Sequence, residues 1–310
     1  MNYDVVIVGG GPAGLQAALT LGRARKRVLL CDVGPRRNAA AKRIHNFVTR
    51  DGTPPDEFRR LGVQQLATHT NVELRTVAVE AVSGQRGAFR VGLSLGAVEA
   101  RRVLFCTGMV DELLPIEGFV DLWGSSIFQC PYCHGWEEQD RAWGWIMPPG
   151  EPHMLLPFAL QARGWTADFT VFTNGIVTLP EETVLALGKA GIRLETRPIA
   201  RLRARANAPA SALALQAVEF ADGSAVQCDV LFAHPPQRQV ALVQAMGLAL
   251  DEHGFVKTDA MTRETSVPGV YAAGDLSTRM QAAVAAAAAG MHAGAMINMG
   301  LMMDLGARTD

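Results

Sequence analysis

The chain has 310 residues, which is enough for two domains that each bury a hydrophobic core. Apolar residues make up 49% and charged residues 19% of the sequence, as in ordinary globular proteins. The formal net charge of −1 argues against a surface built to bind nucleic acid or an anionic membrane.

The N-terminal segment predicts a strand, a glycine turn, a helix and a second strand. The run Val5–Val8 is continuous and apolar, which is typical of a buried parallel strand. Gly9, Gly11 and Gly14 form G-x-G-x-x-G where the strand becomes a helix, and Asp32 ends the second strand. In such a unit the glycines allow a tight turn, close approach of a pyrophosphate and helix packing, while the acid accepts from a ribose hydroxyl. The segment therefore predicts a dinucleotide site.

The remaining elements alternate between strands and helices. Residues 72–105 predict a β-meander insertion. Residues 141–237 predict a second α/β unit with helices at 153–164 and 181–190. Near the end, SVPGVYAAGD (266–275) predicts a strand that meets a glycine and an acid.

Turn residues place the domain boundaries near 115 and 238. We expect a discontinuous first domain, residues 1–115 and 238–310, and a second domain, residues 116–237. The expected fold class is α/β, with two Rossmann-like, three-layer dinucleotide-binding domains and a β-meander insertion in the first.

The most apolar stretch is residues 280–303, which are mostly Ala, Gly and Met. Small residues let a helix pack closely, so we expect a buried helix at a core or subunit interface and no membrane span. The N-terminus lacks the basic leader of a signal peptide, and a cytoplasmic protein is expected.

Five cysteines are too few and too scattered for a disulfide framework. Cys31, Cys106 and Cys228 lie in strand-like apolar runs and are expected to be buried. Cys130 and Cys133, in CPYCHGWE, have a spacing with chemical meaning. In a cytoplasmic protein such a pair is more often catalytic or metal-binding than structural.

An ordered set of motifs runs along nearly the whole chain: GGGPAG, CTGMVDELLPIEG, the CxxC and SVPGVYAAGD. In this order they resemble the low-molecular-weight thioredoxin reductases. The resemblance implies a homodimeric flavoprotein with an FAD domain, a smaller NADPH domain that carries the CxxC, and a C-terminal return to the FAD domain.

The resemblance also implies that FAD is the first dinucleotide, with its adenosine ribose at Asp32. Asn46 and the segment after Asp275 would lie on the flavin side, although Asp275 could also cap a helix. The residues implied around FAD are Gly9, Gly11, Ala13, Gly14, Asp32, Asn46, Thr107, Gly108, Gly274, Asp275, Gln281 and Ala282.

The stretch WGWIMPPGEPHMLLPFA departs from the glycine-rich turn that an NADPH site requires. Pro148 and Pro149 remove backbone donors, and Glu151 adds negative charge where phosphates would lie. The next strand is followed by Glu181 and Glu182 and by no arginine that could meet a 2′-phosphate. We therefore expect that NADPH is not bound, or is bound only weakly by an unusual loop.

Without NADPH, electrons are expected to come from a small or protein dithiol and to leave to an acceptor such as O₂, giving H₂O₂. CPYCHGWE also resembles the FAD-dependent dithiol oxidases that close disulfides in gliotoxin- and holomycin-type natural products. By this resemblance, Cys133 faces the flavin and Cys130 exchanges with the substrate sulfur. His134 would move the thiol proton, with an expected pKa near neutrality.

Other interpretations stay open. The protein could be a disulfide reductase fed by ferredoxin or by an atypically bound nicotinamide, or a non-catalytic FAD/CxxC redox sensor. Zinc is disfavoured because the sequence has one CxxC and no second pair, so no metal is expected. His134 could be a core histidine, and His45 is either a second acid/base group or a packing residue of the flavin loop.

All five tryptophans lie in one window around the CxxC, at positions 123, 136, 143, 145 and 165. They could line an aromatic pocket for a small dithiol or form the core of the second domain. We expect Trp143 and Trp145 to be core residues because they lie in a predicted strand, and leave the role of Trp136 open.

Overall fold

The computed structural model describes residues 2–34, 36–149, 152–175, 179–206 and 213–306. Its contacts divide the chain into two units. The first comprises Met1–Ala39, Phe47–Val110 and Gln237–Asp310, and the second comprises Ala40–Asn46 and Asp111–Pro236. The boundaries expected from the sequence differ from these by a few residues, and the grouping of residues 40–46 with the second unit was not predicted.

The first unit is built on a seven-stranded sheet in the order β3-β2-β1-β6-β5-β4, with β17 beside β6. Strands β3, β2, β1, β6 and β17 are parallel, whereas β4, β5 and β6 form an antiparallel meander. The strands are β1 (Asn2–Val8), β2 (Val28–Cys31), β3 (Val72–Arg75), β4 (Val79–Gln85), β5 (Ala88–Leu93), β6 (Gly96–Phe105) and β17 (Val270–Ala272).

The predicted meander over 72–105 is wrong in its first strand. β3 pairs parallel with β2, from Val28↔Val72 to Cys31↔Arg75. The connection is a helix, α2 (Pro55–Leu66), which makes β2-α2-β3 a second crossover unit. Parallel strands need such a crossover, whereas a hairpin joins only antiparallel neighbours. The meander proper spans residues 79–105.

The helices of the first unit pack against its sheet or against one another. They are α1 (Pro12–Arg23), α2, α7 (Ala241–Ala245) and α8 (Ala283–Gly306), with 3₁₀ turns at Arg37–Ala40 and Asp275–Ser277. The predicted strand–turn–helix order at the N-terminus is confirmed, and β2 ends one residue before Asp32.

Helix α8 packs against α1 through small residues. A Cβ on Gly290 would lie 2.0 Å from the Ala13 carbonyl oxygen, and one on Gly294 would lie 3.2 Å from that of Ala17. Ala293 and Ile297 on the same side are fully buried. By length and hydropathy alone Ala283–Leu305 could span a membrane. The packing places one face of this helix in the core of the first unit.

The second unit has a five-stranded parallel sheet in the order β11-β10-β9-β15-β8 and an antiparallel sheet, β12-β13-β14. The helices predicted at 153–164 and 181–190 are shorter, and strands β12 and β14 were not predicted. The elements are α3 (Phe119–Leu122), β8 (Ile127–Phe128), α4 (Pro131–His134), β9 (Trp143–Ile146), a 3₁₀ turn (Pro152–Met154), α5 (Leu155–Ala162), β10 (Phe169–Phe172), α6 (Glu181–Lys189), β11 (Arg193–Glu195), β12 (Ile199–Ala204), β13 (Leu215–Phe220), β14 (Ala225–Gln227) and β15 (Val230–Ala233). Two short strands, β7 (Val110–Asp111) and β16 (Gln237–Arg238), pair with each other.

A buried ion pair ties the end of α8 to the sheet of the first unit. Arg102 on β6 is fully buried, and its Nη2 donates to Asp304 Oδ2 at 2.6 Å. Arg86 and Arg101 lie 3.6 and 3.5 Å from the same carboxylate. The Asp304 carboxylate therefore supplies the counter-charge for the Arg102 guanidinium, which has no access to water.

We expect Asp304→Asn to lower the free energy of unfolding by about 2 kcal/mol, because it leaves the Arg102 charge buried without a full counter-charge. The value lies below the range for a fully buried pair, since the Asp304 side chain is 27% exposed. Urea unfolding would measure the loss. Glu57→Gln, which removes an exposed partner of Arg60 on α2, is the control and should leave the unfolding midpoint unchanged. Equal urea midpoints for the wild type, Asp304→Asn and Glu57→Gln would contradict a stabilising role for the Arg102–Asp304 pair.

Candidate active site

The glycines of the first turn have two different roles: Gly9 and Gly14 allow close packing, and Gly11 leaves open space. A Cβ on Gly14 would lie 1.8 Å from the Gly9 carbonyl oxygen, and one on Gly9 would lie 2.3 Å from that of Cys106. A Cβ on Gly11 would meet no atom within 4 Å. Gly9 and Gly14 thus allow the strand and helix to touch, while Gly11 leaves free space at the start of α1.

Four further features line the same edge of the sheet. Gly11 is the N-cap of α1 and offers no side-chain cap, so the first N–H groups of the helix are available to a ligand. Thr107 follows β6, and its hydroxyl oxygen is buried without a hydrogen-bond partner among the described residues. Gly108 has φ +64° and open space at its Cβ position. Ala13 is buried, with its Cβ 3.1 Å from a Cβ placed on Gly274.

Both predicted carboxylates of this site are paired with arginines that the sequence did not reveal. Asp32 Oδ2 accepts from Arg59 Nη2 at 2.7 Å and from Arg59 Nε at 3.1 Å. Asp275 Oδ2 accepts from Arg37 Nη1 at 2.9 Å. Arg37 and Asp275 are 238 positions apart, so no local pattern could have indicated the pair.

The other predicted residues near the C-terminus adjoin Asp275. Gln281 exchanges side-chain hydrogen bonds with Gln237, at 3.0 and 2.8 Å. The Ala282 carbonyl accepts from Ala286 N at 2.9 Å, at the start of α8. The first unit therefore brings together eleven of the twelve residues implied around FAD.

The remaining one, Asn46, belongs to the segment 40–46 of the second unit and has φ +56°. Ala40 in this segment packs on Gly124, where a Cβ would lie 2.6 Å from the Ala40 Cβ. His45 Nδ1 lies 3.3 Å from Glu137 Oε1, just beyond the CxxC. The structure thus places His45 near the CxxC, and its role as an acid/base group stays a prediction.

Cys130 and Cys133 form a disulfide with a Cα–Cα distance of 5.3 Å, within the usual range. Both cysteines are half-buried. Cys130 is the N-cap of α4, and Pro131 takes the first helical position, where a missing N–H costs nothing. Helix α4 has only four residues, so its dipole can stabilise a thiolate at Cys130 only a little.

His134 directly follows Cys133 in the chain, and its ring is stacked on Phe128, with ring centroids 4.1 Å apart and an interplanar angle of 12°. Burial lowers the pKa of His134 to about 4, a contact with the Cys130 backbone opposes the shift, and the charge of His45 adds to it. Its Nδ1 is buried without a hydrogen bond of normal geometry among the described residues. The expected pKa near neutrality is therefore wrong for the disulfide form, in which His134 is neutral at pH 7. A thiolate formed next to it would raise this pKa and make the ring a better base.

We expect the buried His134 to make stability depend on pH between about 6.5 and 4. In this window the unfolded chain binds a proton that the folded protein does not, so stability falls as pH falls, by at most about 3 kcal/mol. His134→Gln cannot titrate, and its unfolding free energy should decline less between pH 7 and pH 4.5. Urea unfolding of both proteins across this range would show the difference, and parallel pH profiles would contradict it.

The aromatic residues around the disulfide do not share one role. Trp143 and Trp145 are fully buried, and the prediction that they are core residues is confirmed. Trp165 stacks on Trp143 and lies under the CxxC turn, where a Cβ on Gly135 would meet its Nε1 at 2.9 Å. Trp136, in contrast, is exposed.

The turn after β9 differs from a dinucleotide-binding turn in the residues that can be described. Gly144 lies inside the strand, where a Cβ would lie 2.6 Å from the Phe172 ring, so it is a packing glycine. Pro148 and Pro149 follow, and a 3₁₀ turn precedes α5. Gly150 and Glu151 lie outside the described residues.

At the carboxyl ends of the neighbouring strands, no arginine among the described residues has a guanidinium available to bind a 2′-phosphate. Glu181 and Glu182 open α6. Arg197, two residues beyond β11, has its guanidinium bound to Glu195 at 2.6 Å, to Asp222 at 2.8 Å and to Ser224 at 2.7 Å. An arginine held in this way has few donors left for a 2′-phosphate.

The other cysteines are buried, and burial raises the pKa of the Cys31 thiol to about 11 and those of Cys106 and Cys228 further. They are therefore poor nucleophiles. Within the described ranges no group of His, Cys, Asp and Glu side chains is arranged to hold a metal ion.

Comparison with known proteins places this site in a family. The chain matches the family described as "Pyridine nucleotide-disulphide oxidoreductase" over residues 3–146 and 181–290. It is 32% identical to "Thioredoxin reductase tcpT" of Claviceps purpurea, over 97% of this chain and 95% of that protein. It is 30% identical to "Thioredoxin reductase sirT" of Leptosphaeria maculans, over 99% and 97%.

Similarity to solved structures supports the same family. The chain is similar to an oxidoreductase from Agrobacterium tumefaciens, with a TM-score of 0.88 and 33% identity over 98% of this chain and 99% of that one. It is also similar to HlmI, with a TM-score of 0.89 and 32% identity over 99% and 95%. The predicted α/β fold with Rossmann-like domains, the predicted family and the enzyme class are confirmed. The chain belongs to the pyridine nucleotide-disulphide oxidoreductase family and is an oxidoreductase of the thioredoxin reductase type.

Proposed function

We propose that this protein is an FAD-dependent thiol oxidase that closes a disulfide in a small dithiol and passes the electrons to O₂. The observation that carries the proposal is a half-buried Cys130–Cys133 disulfide in a unit whose strand-to-helix turn holds Pro148 and Pro149. The disulfide supplies a route for electrons from thiols, and the prolines weaken the route from NADPH.

The first unit fits FAD in three respects. Gly11 leaves open space at the helix start, and the Thr107 hydroxyl is buried without a partner among the described residues. Asp32 directly follows β2 and Asp275 opens the 3₁₀ turn after β17, and their carboxylates can accept from hydroxyls. Arg37, held by Asp275, would add a positive charge for a pyrophosphate. When bound, FAD would accept two electrons from the reduced CxxC and deliver them to O₂, which leaves as H₂O₂.

The chain's own residues account for the thiol chemistry. A substrate thiolate attacks one sulfur of the Cys130–Cys133 disulfide, forming a mixed disulfide and releasing the other cysteine as a thiolate. The second substrate thiol then attacks the mixed disulfide. This step releases the substrate disulfide and leaves both cysteines reduced, so two electrons and two protons have moved from substrate to enzyme.

His134 is the residue proposed to move one of these protons. Its ring is neutral at pH 7 in the disulfide form and can therefore accept a proton when a thiol is deprotonated beside it. By resemblance, Cys130 exchanges with the substrate and Cys133 passes the electrons on. The His134 ring stacks on Phe128, which limits its rotation.

A second candidate is a disulfide reductase that receives electrons from ferredoxin or from a nicotinamide cofactor bound in an unusual way. The names of the relatives, which are thioredoxin reductases, favour it. The prolines after β9 and the fully engaged Arg197 support the oxidase over a reductase that uses NADPH.

Oxygen uptake in the presence of a dithiol tests the proposal. We expect one O₂ consumed and one H₂O₂ formed for each dithiol oxidised, with no added nicotinamide. The reductase would instead show no dithiol-dependent oxygen uptake and would reduce a disulfide when given its electron donor.

A further inference from the structure

A histidine from a distant segment of the chain contacts the turn that follows the redox disulfide. His45 Nδ1 lies 3.3 Å from Glu137 Oε1, which is within ion-pair distance. The His45 side chain is 13% exposed, whereas that of Glu137 is 40% exposed. The contact therefore joins a mostly buried imidazole to a carboxylate that reaches water, and such a pair can take up a proton and release it.

The packing of residues 40–46 holds His45 at this turn. The segment belongs to the second unit, which also contains the CxxC. At its start, Ala40 packs on Gly124, where a Cβ would lie 2.6 Å from the Ala40 Cβ. At its end, Ile44 is buried directly before His45. The histidine is thus fixed by the fold of the second unit itself.

The backbone of the turn brings Glu137 to the side of His134. The hydrogen bond from Glu138 N to His134 O continues the helical turn beyond α4. His134 and Glu137 are three residues apart, a spacing that makes side chains neighbours on one helical face. Electrostatics agrees with this placement, because after burial, which is the main cause, the charge of His45 also lowers the pKa of His134.

The number of protons in the proposed reaction calls for a second acceptor. A dithiol gives up two protons together with its two electrons, and a neutral imidazole accepts only one proton. The cysteines react as thiolates, so a proton that stayed on either sulfur would slow the onward passage of electrons. His134 alone can therefore keep only one of the two cysteines deprotonated.

We propose that His45, supported by Glu137, is the second proton acceptor of the CxxC. His134 takes the proton of the first substrate thiol, passes it to His45, and is then free to take the proton of the second. The reduced site then holds two thiolates and two imidazolium rings, with the Glu137 carboxylate compensating the charge of His45. Both protons leave with the two electrons when H₂O₂ forms. This inference rests on the proposed thiol oxidase and names a further residue of its chemistry.

The rate at which a dithiol fully reduces the CxxC tests the inference. The holoprotein is mixed anaerobically with dithiothreitol, quenched with acid and alkylated, and its free cysteines are counted by mass. His45→Gln should lower this rate about tenfold at pH 7, less than the usual effect of a general base because water can replace part of its role. His253→Gln alters an exposed histidine 3.9 Å from Glu252 and is the matched control, with an unchanged rate.

Two further variants separate proton transfer from packing. His45→Ala should be as slow as His45→Gln, and imidazole in the buffer should restore at least half of its rate, since it supplies the missing base. If His45→Ala does not fold, Glu137 keeps the inference testable, because its side chain is partly exposed. Glu137→Gln should be about threefold slower and Glu137→Asp, which keeps the carboxylate, within about twofold of the wild type.

This half-reaction needs neither O₂ nor a nicotinamide, so it separates the inference from the proposed function. If dithiothreitol reduces the CxxC but no oxygen is consumed, the proposed oxidase fails, and the reduction rates still decide the role of His45. Equal rates for the wild type and His45→Gln would overturn the inference. So would a loss in His45→Ala that imidazole does not restore.

Discussion

Replacing Cys133 by serine is expected to abolish dithiol-dependent oxygen uptake, with a loss of about a thousandfold or more. The thiolate is the species that attacks a disulfide, and a serine hydroxyl cannot take part in the exchange. Cys130→Ser should lose a similar amount, since the two cysteines form a single disulfide. Both variants should keep the absorbance of bound FAD, because all but one of the residues implied around FAD lie in the other unit.

A buried cysteine provides the control for this experiment. Cys31 is buried on β2, and Cys31→Ala removes a thiol without touching the CxxC. This variant should retain the wild-type rate. Continued turnover by Cys133→Ser would show that electrons reach the acceptor without the CxxC, and the proposed chemistry would then be wrong.

The second large effect is expected at the first glycine turn. Gly14→Ala would place a methyl group 1.8 Å from the Gly9 carbonyl oxygen, where neither backbone can yield without moving the strand or the helix. We expect a loss of more than about 3 kcal/mol in the free energy of unfolding and no retained FAD. Thermal unfolding and the flavin content of the purified protein would measure both.

Gly11→Ala is the informative partner of that variant. Gly11 has φ −73°, which alanine adopts without strain, and a Cβ there meets no protein atom. The variant should fold normally yet bind FAD about tenfold more weakly, because its methyl group enters the space expected for the pyrophosphate. Titration of the apoprotein with FAD would give the Kd. Unchanged affinity in Gly11→Ala would show that the pyrophosphate does not lie at this turn.

The parts of the fold and site that could be predicted depend on short-range constraints. The spacing of Gly9, Gly11 and Gly14 is set by one turn, and the pairing of Cys130 with Cys133 needs only the geometry of a single helical turn. Continuous apolar runs likewise identify buried parallel strands. Such features are contained in a few consecutive residues.

The parts that were missed depend on contacts between distant residues. The pairing of β3 with β2 requires the crossover helix α2, and the Arg37–Asp275 pair joins residues 238 positions apart. The lowered pKa of His134 arises first from burial and then from the charge of His45, which is far away in the sequence.

The most direct measurement is the anaerobic reduction of the bound flavin, followed by its absorbance, with NADPH, NADH or a dithiol as the electron donor. We predict rapid bleaching by the dithiol, none by either nicotinamide on the time scale of turnover, and formation of H₂O₂ when air is admitted. Rapid, stoichiometric bleaching by NADPH would contradict the account, since electrons would then enter from the nucleotide and flow toward the disulfide.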